Sequence, residues 1–285
     1  MTGVRAKKAS RGAKSLSELC IEFDGRQLTV GTDVPEIREF LTHEYSAMLV
    51  PEEKSSMGRL DVLRSGNGYA VRGSREVGHA PSLRYLFESM KAEILFHFIS
   101  TRQDLMWVHA GGVERAGKAV LFAGPSGNGK STLVTLLCER DWRFLSDDIA
   151  PIRMNADVVL PFPQTPRRRI HPRREVPPNA IGIIEREAVM IDPEHVQRGP
   201  AAIGAIVFPA YSAGAAAELS RVTPGDAAFK LIRDCTNFAD HKGAAVSRAA
   251  GIARTVPVYA LTYSSGPGAA SLVDSHDHGV RRAQD

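Results

Sequence analysis

The sequence predicts an α/β protein in which a mixed β-sheet carries a phosphate-binding loop and a small α/β region precedes it. Three observations carry that expectation. Short alternating apolar stretches, separated by Gly, Asn and Asp, recur over residues 18–75. Residues 82–101 place apolar groups at helical spacing. Near the middle, a strand, a glycine-rich loop, a helix and a second strand are compressed into about 35 residues.

The elements follow in chain order. Residues 1–15 (MTGVRAKKASRGAKS) are basic, carry no acidic group and read as a disordered leader. ELCIEFDG, RQLTVGT, GRLDVLRSG and GYAVRGS read as antiparallel strands joined by turns, and 32–50 holds a short helix followed by a strand. Together, 16–80 form a small N-terminal α/β subdomain. A long amphipathic helix capped by Ser82 opens the main domain, which spans 81–265. DLMWVHAGGVE, RAG and KAVLFAG form a β-hairpin whose second strand runs into the glycine-rich loop. Residues 130–140 make the next helix, Asp141 and Trp142 turn the chain, and RFLSDDIAPI is the following strand. PFPQTPRRRIHPRREVPP is too rich in proline for a helix or a central strand. GAIVFPAY (204–211) is a buried strand, Thr223-Pro224 starts a capped helix, and VPVYALTYS (256–264) is the last strand. Residues 266–285 read as a flexible tail, and no internal repeat is present.

Composition excludes several classes. The 285 residues are 43% hydrophobic and 24% charged, as in ordinary globular proteins. The net charge of +4 comes from the leader: without Arg5, Lys7, Lys8, Arg11 and Lys14 the rest of the chain carries −1. Nucleic acid is therefore not needed to explain the basicity. No apolar run approaches the ~18–20 residues of a membrane span, so no membrane partner is expected, and no secretory signal follows the basic start. Cys20, Cys138 and Cys235 have neither zinc-type nor disulfide spacing, which fits a reduced cytoplasmic setting.

The loop Gly124-Pro125-Ser126-Gly127-Asn128-Gly129-Lys130-Ser131 matches the P-loop pattern at every defined position. Glycines let backbone N–H groups converge on phosphate oxygens, and the helix starting near Lys130 turns its positive end toward them. Lys130 is expected to reach the outer phosphates, and the Ser131 hydroxyl to ligate Mg²⁺. The nucleotide-binding set runs from Gly124 through Thr132. Asp147 and Asp148 end the RFLS strand, only one helix beyond Lys130, which predicts a strand immediately beside the P-loop strand. Side chains alternate along a strand, so the two carboxylates divide two roles between them: holding Mg²⁺ and taking a proton from an attacking hydroxyl. The residue pattern does not rank them; we set Asp148 beside Ser131 as the metal pair and count both aspartates as catalytic. His109, in WVHAGGVE, is brought toward the same site by the hairpin.

Weaker features are read conservatively. Arg167, Arg168, Arg169, Arg173 and Arg174 form either a phosphate-reaching cluster or a solvated basic loop; the segment lacks the interleaved aromatics of a nucleic-acid site. His276 and His278 belong to the tail, and Trp107 and Phe122 to the core.

His109, the hairpin into GPSGNGKS, the ensuing helix and the LSDD strand resemble the catalytic domain of the HPr kinase/phosphorylase-like family. The likeness is best over about 105–152 and looser at GAIVFPAY and VPVYALTY. It implies a phosphoenolpyruvate-carboxykinase-like P-loop domain and an ATP- and Mg²⁺-dependent kinase acting on a serine of a protein or peptide, with a homo-oligomer as the expected assembly. Carried over residue by residue, Lys130 matches the P-loop lysine and Ser131 the metal-binding hydroxyl. Asp147 and Asp148 match the paired aspartates that include the general base, and His109 the upstream histidine. The family's later arginine–glycine signature has no counterpart; NAIGIIERE (179–187) is its nearest echo. One branch of the family is similar to kinases of lasso-peptide precursors. Competing readings are a small-metabolite kinase and a nucleotide-binding module without turnover, and the second carboxylate argues against the module.

Overall fold

The computed structural model describes residues 16–51, 58–73, 76–169 and 186–282, so the leader at 1–15 and the arginine-rich residues 170–185 lie outside the described residues. The described chain is mixed α/β, with two main sheets that are both mixed.

The first sheet is built from β1 (Ser17–Phe23), β2 (Arg26–Thr32), β3 (Leu49–Val50), β4 (Gly58–Ser65), β5 (Gly68–Arg72) and β6 (Glu76–Ala80), in the order β3-β1-β2-β4-β5-β6. Asp24 and Gly25, with φ of 45° and 75°, make the two-residue turn joining β1 to β2. The all-antiparallel reading of this region needs one correction: β2 and β4 run parallel. The cause is helix α1 (Pro35–Glu44), begun by its N-terminal proline, which carries the chain back across the sheet before β4. Helix α2 (Leu83–Thr101) then lays Leu86, Met90, Ile94 and Phe98 into the core under this sheet.

The second sheet is nine-stranded among the described residues. It comprises β7 (Leu105–Val108), β8 (Ala110–Arg115), β9 (Lys118–Ala123), β10 (Arg143–Ser146), β11 (Ala150–Arg153), β12 (Val158–Val159), β15 (Ala201–Tyr211), β16 (Glu218–Arg221) and β17 (Val258–Tyr263). A separate ribbon pairs β13 (Arg167–Arg169) with β14 (Arg186–Ala188). The sheet runs β10-β8-β9-β15-β12-β11-β7, with β17 on the other part of β15 and β16 beyond it. Strands β9, β15 and β17 are parallel, so their carboxyl ends share one edge. Helix α3 (Lys130–Cys138) follows β9; α4 (Pro224–Arg233), α5 (Phe238–His241), α6 (Gly243–Thr255) and α7 (Gly266–Arg282) complete the chain.

Four further sequence expectations are corrected. DLMWVHAGGVE is two strands broken at His109, because β7 pairs with β11 while β8 pairs with β9 and β10. RFLSDDIAPI is likewise two strands, β10 and β11, with both aspartates in the bend between them. Strand β10 is not the neighbour of β9: β8 lies between them, since the hairpin takes one edge of β9 and β15 takes the other. The flexible tail, finally, is helix α7, whose Ala269, Ala270 and Val273 are buried against the P-loop helix side. Arg115 and the Trp142 indole both donate to Asp274 Oδ1, at 2.7 and 2.9 Å, and pin α7 there.

Trp107 and Phe122 are fully buried. The rings of Phe23, Phe98, Trp107 and Phe162 meet edge-on at 5.2–6.0 Å and join the first sheet and α2 to the second sheet in one cluster. No helix among the described residues is long and apolar enough to cross a membrane.

Candidate functional site

Strand β9 delivers the chain into the loop, and the glycines supply the backbone the loop needs. Gly124, Gly127 and Gly129 have φ of 127°, 91° and 85°, a region that side chains disfavour. Gly129 is also the N-cap of α3, and a Cβ there would stand 1.8 Å from the Tyr263 hydroxyl. That hydroxyl donates to Asn128 O at 2.8 Å, so the end of β17 braces the loop from outside. Tyr263 carries no sequence signal of this role; only the parallel packing of β17 beside β15 brings it there.

Lys130 is 5% exposed, and its ammonium donates to Gly124 O at 2.7 Å and Pro125 O at 3.2 Å. It also lies 3.0 Å from His109 Nε2. Because an ammonium can only donate, Nε2 accepts, which puts the ring hydrogen on Nδ1. Nδ1 then donates to Asp148 O at 2.8 Å, and the His109 backbone N–H donates to Asp234 O at 2.7 Å. The strand break thus aims His109 between the P-loop lysine and the aspartate bend.

The aspartates reach the loop past β8 because β8 is thin there. A Cβ on Gly111 would come within 2.9 Å of both Asp147 O and Val134 Cγ2, so only glycine lets the bend and α3 close on that strand. Asp147 is 4% exposed. Its Oδ2 accepts the Arg167 backbone N–H at 3.2 Å, while Oδ1 is buried without a hydrogen-bond partner. Burial first, and then the charge of Asp148, push its carboxyl from the ordinary 3.8 up to about 6; the nearby Ser131 hydroxyl, the Arg167 N–H and the more distant Lys91 act the other way. Asp148 is half-buried. The sequence reading set Asp148 beside Ser131. The Ser131 hydroxyl also acts on the carboxyl of Asp147, whose pKa it lowers.

Helices α1 and α2 support the site through contacts that were not visible in the sequence. Glu44, at the end of α1, is 1% exposed and holds Lys91 Nζ at 2.6 Å and Arg167 Nη2 at 2.7 Å. Thr165 N donates to Glu44 O at 2.9 Å, and Gln164 donates to the Tyr45 hydroxyl at 2.8 Å. These contacts seat the segment whose Arg167 N–H meets Asp147. Arg167 is therefore committed to Glu44, and Arg168 pairs with Glu187 at 2.8 Å on the surface. The other cluster members, Arg173 and Arg174, fall outside the described residues, as does the side chain of Arg169. His276 lies 3.0 Å from the Tyr259 hydroxyl, away from the loop.

Among the described residues no group of three or more His, Cys, Asp or Glu side chains is arranged to hold a metal by itself. Mg²⁺ does not need one: it uses one or two carboxylates and completes its shell with phosphate oxygens and water. A buried, unpartnered carboxylate oxygen beside the first turn of the P-loop helix fits that requirement. No protein-family model matches the chain, and curated proteins give no significant match.

Proposed function

We propose that the protein is a Mg²⁺-dependent phosphotransferase that uses a nucleoside triphosphate. More particularly, it is an ATP-dependent serine kinase of the HPr-kinase-like sort, built on a phosphoenolpyruvate-carboxykinase-like P-loop domain and acting on a protein or peptide. The observation that carries this reading is the buried Asp147 Oδ1 without a hydrogen-bond partner, on a carboxyl that the Ser131 hydroxyl of the P-loop helix acts on. A loop that only bound phosphate would have no use for a buried carboxylate, which costs stability wherever it is charged.

The chain's residues divide the work. Backbone N–H groups of 124–131 and the start of α3 receive the phosphates, and Lys130 offers its charge to the outer ones. Ser131 and Asp147 would hold Mg²⁺, which when bound neutralises charge on the phosphates. Asp148, the more open carboxylate, takes the proton of the acceptor hydroxyl as its oxygen bonds to the terminal phosphorus. The bond from that phosphorus to the bridging oxygen breaks, and the diphosphate leaves. His109 positions both sides, orienting Lys130 through Nε2 and the aspartate bend through Nδ1–H.

The test is transfer from γ-labelled ATP with Mg²⁺ to serine-bearing proteins and peptides of the native extract. Asp148→Asn is expected to lower labelling about 10²- to 10⁴-fold while ATP still binds. Wild type that binds ATP and labels no acceptor would remove the kinase reading.

A further inference from the structure

The edge that carries the phosphate loop is asymmetric. On one flank of β9 lie β8 and β10, and with them His109, Asp147 and Asp148, the groups suited to the terminal phosphate. On the other flank lie β15 and β17, parallel to β9 and ending at the same edge in Tyr211 and Tyr263. Ligands of open α/β sheets sit beyond the carboxyl ends of parallel strands. A triphosphate with its terminal group at Lys130 and the aspartates must lead its nucleoside out over the flank opposite them.

Tyr211 stands on that flank. It is 48% exposed, and its ring meets that of Tyr263 edge-on, at 6.0 Å and 88°. Tyr263 in turn touches the loop through its bond to Asn128 O. The turn after Tyr211 is pinned to the end of β17: Ser212 N donates to Tyr263 O at 2.8 Å, and Ser264 Oγ donates to Ala215 O at 2.7 Å. The exposed ring is thus mounted on a braced platform one tyrosine away from the phosphate loop. The other large exposed rings among the described residues, Tyr85, Phe229 and Phe238, stand on helices α2, α4 and α5 rather than on a strand of this edge.

We propose that Tyr211 is the stacking platform for the nucleobase, forming a subsite that distinguishes a nucleoside triphosphate from bare polyphosphate. The inference rests on the nucleotide-binding reading above. An aromatic face recognises any base by stacking and needs no hydrogen-bond code. The subsite therefore supplies affinity for the nucleoside part and adds nothing at the reacting phosphate.

Titration calorimetry of wild type, Tyr211→Ala and Tyr211→Phe with Mg-ATP and with inorganic tripolyphosphate tests it. Tyr211→Ala is expected to weaken ATP binding roughly tenfold, tripolyphosphate binding is expected to stay unchanged, and Tyr211→Phe is expected to retain the wild-type affinity for both. The unchanged tripolyphosphate arm also shows that the variant is folded. A loss of less than about twofold for ATP, or an equal loss for both ligands, overturns the subsite while leaving the phosphate loop intact. Wild type that binds neither ligand overturns the nucleotide reading and the subsite with it.

Discussion

Asp147 is held where its charge is costly. Its folded-state carboxyl is raised to about 6, above the value near 4 of an unfolded chain. The sign follows: the folded protein keeps the proton longer, so the penalty is complete above pH ~6 and is relieved as pH falls toward ~4. Ligand-free Asp147→Asn is therefore expected to be about 3 kcal/mol more stable than wild type near pH 8, with the gain gone near pH 4. Denaturant midpoints at the two pH values check this, and a gain independent of pH would show that burial of the charge is not the cause. The same variant is expected to lose phosphoryl transfer, the pattern of a residue kept for function at the expense of stability.

Elements differ in how far the sequence announces them. The β8–β9 hairpin, the loop and the start of α3 are local: a turn at Ala116-Gly117, an apolar strand and a glycine-rich motif all lie within about 30 residues. The break at His109 is not local, because it depends on the Asp234 carbonyl more than a hundred residues away and on two different strand partners. Helix α7 was hidden for another reason. GPGAASLVDSHDHG is poor in strong helix formers, and its order comes from packing on α3 and from Asp274. Asp274→Ala removes the acceptor of the buried Trp142 indole and the partner of Arg115 together. It is expected to cost about 1–3 kcal/mol, read from the urea midpoint followed by tryptophan fluorescence. A loss below about 0.5 kcal/mol would mean that α7 is held by its apolar face alone.

At the scale of the whole molecule, the two sheets share material. Phe23 and Phe98 from the first sheet and α2 interlock with Trp107 and Phe162 of the second, and Glu44 ties α1 and α2 to the segment beside Asp147. None of this was legible in the sequence, where 16–80 reads as a separate subdomain; contacts between distant segments leave no period behind. Scanning calorimetry is expected to give one cooperative transition with matching calorimetric and van't Hoff enthalpies. Two resolved transitions would show that the ring cluster does not couple the sheets.

The ammonium of Lys130 closes a ring with the carbonyls of its own loop and a histidine. In the proposed function, nucleotide capture is thus an exchange reaction rather than an addition: the incoming phosphate must outbid neutral oxygens that already solvate the cation. A small, weakly charged anion gains little from that trade, whereas a polyanion gains at each step along its chain. On that proposed function the loop is expected to select by valence before any base is read, holding single phosphate or sulfate ions weakly because the lysine already has partners.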